Sequence, residues 1–392
     1  MKKHLPSGWK EFALKDICNI QDGIHTTPNY ADKGIKFISV ENISDIYASN
    51  KFISNEDYNN LYKVKAKKND IFMTRIGDIG TPAIVSKDEE LAYYVTLTLL
   101  TNISKEIYYK YLYYAIQSYN FQKELYSRTL HVAFPKKINL GEIGECKFIS
   151  PPLDEQKRIA DILSTFDDLI ENLKKLIEKK EIYKKGVMQR VLSGKVRFNG
   201  FTDEWEFTTL DKIIVEKSIR NKDNKINLVL SVTNKKGFVI QNEFFGKTIA
   251  SKDLSNYKIV DKYDFAYNPA RVNVGSISML ENFDSCIVSP MYVVFSLNKL
   301  KIDKYFFKYW IQSNNFNGHI RSLSAGSVRS ILSFDAMSTM KIKLPSLEEQ
   351  NKIAELLSLI DKDIDNLKKM LQLRKLQKKG VMQKLLTGEV RV

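Results

Sequence analysis

Apolar residues recur at alternating intervals of four and three in two stretches of this chain. Ile159, Leu163, Phe166, Ile170, Leu173 and Ile177 form one series; Ile353, Leu357, Ile360, Ile364, Leu367 and Leu371 form the other. This is the heptad seam of a coiled-coil helix, held for nearly three heptads each time. The stretches are copies of one another. Pro151 to Phe198 aligns without a gap on Pro345 to Val392, at a constant offset of 194 residues. Each opens with acids after a proline (Asp154 and Glu155; Glu348 and Glu349) and ends in cations (Lys184, Lys185 and Arg190; Lys378, Lys379 and Lys384), as the helix dipole favours. About 38 residues at about 1.5 Å each make a rod of about 55 Å. Two rods with matching seams most simply pair with each other.

The patterning between the rods is shorter and strand-like. Ile35–Val40, Ile71–Thr74 and Ala83–Val85 read as strands in residues 1–150, and Lys105–Tyr126 carries apolar positions at helical spacing. In residues 199–343 the corresponding expectations are strands at Asn227–Thr233, Ser276–Leu280 and Ile287–Phe295 and a helix at Asp303–Gln312. Trp9, Leu14 and Ile17 match Trp205, Leu210 and Ile213. The chain therefore divides into a globule (1–150), a helix (151–198), a second globule (199–343) and a second helix (344–392). A long fixed period marks an internal duplication. The scaffold repeats while strands and loops diverge, as expected of two modules doing one job on two targets.

Composition adds a partner. The chain has 392 residues, 61 Lys and Arg against 46 Asp and Glu, and a net charge of +15, which favours a polyanion, nucleic acid before membrane. Cys18, Cys146 and Cys286 are isolated, with neither disulfide nor metal-ligand spacing. The first residues lack an apolar signal core and no run approaches a membrane span, so a cytoplasmic protein is expected.

Motifs for bond chemistry are missing from the sequence. It has no phosphate-binding loop, no dinucleotide fingerprint, no His-Glu-x-x-His and no nucleophile elbow. Asn268-Pro269-Ala270-Arg271 lacks the second proline and aromatic residue of an adenine methyltransferase loop, and Glu145-Cys146-Lys147 lacks the partner acid of a nuclease. No catalytic residue and no metal ligand is assigned. A binding inventory remains. In the first globule it comprises Thr26, Thr27, Asn29, Tyr30, Arg75, Arg128, His131, Lys136 and Lys137. In the second it comprises Asn234, Lys235, Lys236, Tyr267, Asn268, Arg271, Asn273, Arg321, Ser327 and Arg329. Arg and Asn can bond base edges bidentately, while Lys and hydroxyls mostly take phosphates.

The repeated openings P-x-L-x-E-Q-x-x-I-A-x-x-L at Pro151 and Pro345, and the endings K-K-G-V-M-Q at Lys184 and Lys378, resemble those of the specificity subunits of type I restriction–modification systems. Tyr267-Asn268-Pro269 through Gly275-Ser276-Ile277, and Ser289-Pro290-Met291-Tyr292, resemble one class of target recognition domain. The resemblance spans nearly the whole chain. It implies an α+β fold: two α/β target recognition domains separated by two long helices in an antiparallel coiled coil, with pseudo-twofold duplication. It implies a non-catalytic reader of a split double-stranded DNA target. Two modification subunits would carry S-adenosylmethionine and methylate adenine, and two restriction subunits, where present, would use ATP and Mg to translocate and cleave. No cofactor is expected in this chain. The rods would then act as a ruler for the unspecified spacer, and their K-K-G-V-M-Q ends as docking points for partner subunits or for the opposite globule. The competing readings are a self-standing nucleic-acid enzyme such as an adenine methyltransferase, distinguished by S-adenosylmethionine binding, and a coiled-coil scaffold without DNA binding.

Overall fold

The computed structural model describes residues 5–234, 236–245, 253–324 and 331–392. The chain forms two compact units, residues 1–174 with 369–392, and residues 175–368.

In the first unit a four-stranded antiparallel sheet is built from β2 (Asn19–Asp22), β5 (Ile71–Thr74), β6 (Pro82–Ile84) and β8 (Leu97–Thr101), in the order β2-β8-β5-β6. The central pair runs Ile71 opposite Leu100 to Thr74 opposite Leu97. A second sheet joins β3 (Ile35–Ile38) to β4 (Phe52–Ile53) antiparallel and to β7 (Leu91–Tyr93) parallel. A ribbon of β1 (Lys10–Ala13) and β9 (Lys147–Ser150) closes the globule. The helix expected over Lys105–Tyr126 is two helices, α1 (Tyr109–Gln117) and α2 (Tyr119–Arg128). Ser118 breaks it, with extended backbone (φ −65°, ψ 150°) and a hydroxyl that accepts the Phe121 amide, as an N-cap does.

The second unit repeats the frame. β10 (Glu206–Thr209) pairs with β19 (Lys341–Leu344). The strands β11 (Ile214–Glu216), β15 (Phe265–Tyr267), β16 (Ile277–Met279) and β18 (Val293–Leu297) form a sheet in the order β11-β18-β15-β16, the same arrangement as in the first unit. Phe265 and Phe295 are cross-strand partners with rings stacked at 5.4 Å. The remaining strands differ. β12 (Leu230–Thr233) and β13 (Gly237–Ile240) form a hairpin, and β14 (Lys258–Asp261) pairs with β17 (Ser285–Val288). The single strand expected over Ile287–Phe295 is the end of β17 and the start of β18. Ser289 to Tyr292 turns between them, the Tyr292 amide donating to the Ser289 carbonyl at 3.0 Å. Helices Lys304–Trp310 and Asn314–Ser324 close this globule.

The two long helices are α3 (Leu153–Val191, 39 residues) and, last in the chain, Leu347–Thr387 (41 residues). Each contributes half its length to each unit, and within each unit the halves run antiparallel. Glu155 meets Arg391 and Asp167 meets Lys378 in the first unit. Arg197, in the turn after α3, meets Glu349 in the second, and Lys180 meets Asp363. The seam residues Ile159, Leu163, Ile170, Leu173, Ile177, Ile353, Leu357, Ile360 and Ile364 are buried, whereas Phe166, Leu367 and Leu371 are half-buried. The opening of each seam does more than pair helices. Ile159 and Leu163 lie in one core with Tyr111, Leu112 and Leu385, and Ile353 and Leu357 in another with Phe306, Phe307 and Val191. Each globule is thereby fastened to the start of one long helix and the end of the other. Among the described residues no helix is long and apolar enough to cross a membrane.

Candidate nucleic-acid interface

The Glu-Gln pair that opens each long helix is a fastener. Gln156 accepts the Tyr108 amide at 2.7 Å and donates to the carbonyls of Glu106 and Pro151, just ahead of α1. Gln350 does the same with the Asp303 amide and the carbonyls of Lys301 and Pro345. Glu155 is held bidentately by Arg391, which lowers its carboxyl below the usual 4.5 despite desolvation. Glu349 is held by Arg197 and by the Trp205 indole at 3.2 Å. A further triad is made twice. The Tyr114 hydroxyl donates to Asp167 at 2.8 Å while Lys378 pairs with that carboxylate. The Tyr309 hydroxyl donates to Asp361 at 2.8 Å while Lys184 pairs with it. The K-K-G-V-M-Q ends thus grip the globules: Met188 is buried in the second unit, and Val381 and Met382 pack on the core of the first. Their glycines do not bring backbones together, because a Cβ on Gly186 or Gly380 would meet nothing within 4 Å. The close approach is at Gly194 and Gly388, just after the helices, where φ is +69° and +70° and the Trp205 and Trp9 rings lie against the backbone.

The first unit gathers three loops around Arg75. Arg75 is buried; its Nε donates to the Ile138 carbonyl at 3.2 Å and its Nη1 to Asp22 at 2.7 Å. Asp22 in turn bonds His25 at 2.8 Å, ahead of Thr26, Thr27, Asn29 and Tyr30, all exposed. The Gly77 amide donates to the Lys136 carbonyl at 2.8 Å, which fixes the 130–137 loop beside Gly77 and Asp78. Arg75 therefore acts as a clamp, buried and bonded to Asp22 and to the carbonyls of Val95 and Ile138. Arg128 pairs with Glu124 and Glu142, and the Glu142 bond holds its guanidinium above its ordinary pKa. His131, Lys136 and Lys137 are exposed, with the His131 ring tilted against Tyr126 at 4.4 Å between centroids. Val132 and Phe134, absent from the residues singled out in the sequence, stand fully in solvent between His131 and the two lysines. An apolar residue flanked by His and Lys in a loop was the signal available.

In the second unit the β12–β13 hairpin tip meets the turn after β15. The Asn234 side chain lies against Gly275, and the buried Ser276 hydroxyl donates to the Val232 carbonyl at 2.7 Å. Asn234 and Lys236 are exposed, as are Arg271 and Asn273. Tyr267 points the other way: it is wholly buried, its hydroxyl donates to the Leu332 carbonyl at 3.2 Å, and burial pushes its pKa up. The half-buried Asn268 accepts the Ala270 amide at 3.0 Å, so Asn268-Pro269-Ala270-Arg271 is a turn fixed by its own side chain. Arg321 is exposed on the helix that packs on residues 272–274. Lys235, Ser327 and Arg329 lie outside the described residues. All three thiols are buried and pushed up to about 12, which leaves them unreactive.

One frame built twice, with unlike loops on each copy, is the architecture of a two-module recognition protein. The chain belongs to the type I restriction–modification DNA specificity family: the family model described as "Type I restriction modification DNA specificity domain" matches residues 6–181 and again 202–375. Among curated relatives, a Methanocaldococcus jannaschii protein provisionally named as the specificity subunit of type I restriction enzyme MjaX is 29% identical over 99% of this chain and 95% of its own. The MjaVIII specificity subunit of the same organism is 30% identical over 62% of this chain and 61% of its own. The crystal structure of a type I restriction–modification S subunit from M. genitalium covers 98% of both chains with a TM-score of 0.58 at 17% identity. A chain from a solved structure concerned with the assembly and conformational transition of a type I system covers 99% of this chain and 100% of its own, with a TM-score of 0.56 at 12% identity. These two likenesses concern the fold.

Proposed function

We propose that this chain reads a bipartite duplex DNA target as the specificity subunit of a type I restriction–modification enzyme, one half-site per globule. The observation that carries the proposal is the repeated strand order β2-β8-β5-β6 and β11-β18-β15-β16, bearing unrelated loops. A constant frame keeps the pose on DNA and divergent loops read different bases. The exposed Thr26, Asn29, Lys136 and Lys137 on one unit, and Asn234, Arg271 and Asn273 on the other, supply base-edge and phosphate donors.

Two modification subunits would assemble on the chain, carry S-adenosylmethionine and methylate adenine; two restriction subunits, where present, would carry ATP and Mg and cleave unmodified DNA. This chain's own part is recognition and positioning, without catalysis. Its outward-facing helix backbone at Gly186 and Gly380 is our assignment for the docking of modification subunits. The test is to express the chain with modification subunits and map methylated adenines by single-molecule sequencing. The expected motif has two defined blocks around an unspecified gap. A continuous motif, or adenine methylation that persists without this chain, overturns the reading. Exchanging residues 9–150 for those of a relative should change one block only.

A further inference from the structure

The loop from Leu130 to Lys137 in the first unit spends apolar surface in an unusual way. Val132 and Phe134 are 98% and 104% exposed, while the core beneath is closed. The base of the loop is fixed: the Leu130 amide donates to the Lys137 carbonyl at 2.8 Å, and the Ile138 amide donates to the Arg75 carbonyl at 3.1 Å. His131 is held by the Tyr126 carbonyl at 2.9 Å and by the Tyr126 ring. A flexible tail would be free to fold its phenyl ring back; this loop is anchored at both ends and on one flank, with the ring outermost. Its charged neighbours, Lys136 and Lys137, are exposed. With Tyr126 and Leu130, 68% and 41% exposed, Val132 and Phe134 form a short apolar ridge that runs into Lys136 and Lys137 in a chain of net charge +15, not the broad apolar patch that a stable protein partner covers. The ridge suits a duplex, where phosphates take the cations and an apolar wedge enters between stacked bases.

We propose that Phe134, backed by Val132, is a wedge that enters a base step of the half-site bound by the first unit, unstacking it and bending the DNA. Specificity would then come partly from how easily that step opens, in addition to the donors already named. This rests on the DNA-reading function above.

The test uses the complex of this chain with its modification subunits and a duplex carrying the mapped target, with 2-aminopurine placed at successive steps of the first unit's half-site. Wild-type complex should brighten the probe at one step. Phe134→Ala should abolish that signal and weaken binding roughly 5- to 100-fold, the range of a lost stacking contact, with an unchanged salt slope because no phosphate contact is lost. Phe134→Trp should restore the signal. Lys136→Ala with Lys137→Ala should lower the salt slope and keep the signal. Because Phe134 touches no core, the melting temperature of Phe134→Ala serves as a folding control and should match wild type. Binding with no brightening at any step, brightening that survives Phe134→Ala, or loss of the modification subunits from the Phe134→Ala complex (a protein interface) would each overturn the wedge while leaving DNA reading intact. Failure of the wild-type complex to bind its mapped target would instead overturn the reading itself.

Discussion

Arg391 closes on Glu155 through two parallel bonds, Nε to Oε1 and Nη2 to Oε2, both 2.7 Å. The carboxylate is nearly buried, so its charge has little water to replace the arginine. Arg391 holds its carboxyl below the ordinary 4.5. A carboxylate lowered in the folded state adds stability above its unfolded pKa, and that stability is lost as pH falls through the folded value. Glu155→Gln should therefore melt below wild type at pH 7. The gap should narrow as pH drops beneath 4.5 and close once the native carboxylate is protonated. Thermal melts of both proteins between pH 7 and pH 3 check this; a gap that ignores pH would sink it.

That relationship was invisible in the sequence, although both residues were in plain view. The heptad seam was legible because a 3.5-residue period needs only local order. The partner of Glu155 lies 236 residues away, and that of Glu349 lies 152 away, so the purpose of each Glu-Gln pair appears only when the chain closes. β8 was missed because all five residues of Leu97–Thr101 are buried and show no alternation. Arg75 looked like a base reader beside Gly77 and Asp78. Its acceptors at Asp22 and Ile138 lie 53 and 63 residues away, so its part in holding the loops could not be read locally.

Arg75 is consequently expected to matter for the shape of the loops before any contact with DNA. Arg75→Ala would take the guanidinium from Asp22, leaving it only His25 and the Gly23 amide, and would loosen the loops that Arg75 joins, at a cost of about 1.5–3 kcal/mol. Urea melts should register the loss. Hydrogen exchange should rise in the 22–30 and 130–138 loops first. Exchange unchanged there would show that Arg75 clamps nothing.

The glycines of the repeated endings should part company. Gly388 has φ +70°, and a Cβ on it would meet the Pro6 ring at 2.5 Å. Gly388→Ala should cost about 1–3 kcal/mol. Gly380 sits in open helix, so Gly380→Ala should stabilise the isolated chain by about 0.5–1 kcal/mol. If Gly380→Ala also weakens co-purification with modification subunits while raising the melting temperature, the open backbone is a docking surface. A destabilised Gly380→Ala would contradict the packing described here.

If helix length sets the gap between half-sites, the spacer should follow it. Four residues inserted in both long helices add roughly 6 Å at about 1.5 Å per residue, or about two base pairs at 3.4 Å each. Methylome mapping should show the same two blocks with a spacer about two pairs longer. An unchanged spacer would mean that something other than these helices measures it.

The reciprocal pairs predict one more behaviour. In the intact chain Asp167 takes Lys378 and Glu155 takes Arg391. The residues equivalent to Lys378 and Arg391 in the first copy are Lys184 and Arg197. A fragment of residues 1–198 therefore carries both halves of each pair, plus one strand of the seam. Two such fragments can exchange Lys184 for Lys378 and Arg197 for Arg391, burying the Leu163 end of each helix against the Met188 end of the other. Sedimentation should find a dimer. With modification subunits, that dimer should direct methylation to a palindrome made of one half-site and its inverse. Lys184→Asp should break it by setting Asp167 against a like charge, and adding Asp167→Lys should restore it with the signs exchanged. A monomeric wild-type fragment would show that seam and charge pairs together do not suffice for pairing, and a dimer indifferent to Lys184→Asp that the seam alone governs how the helices meet.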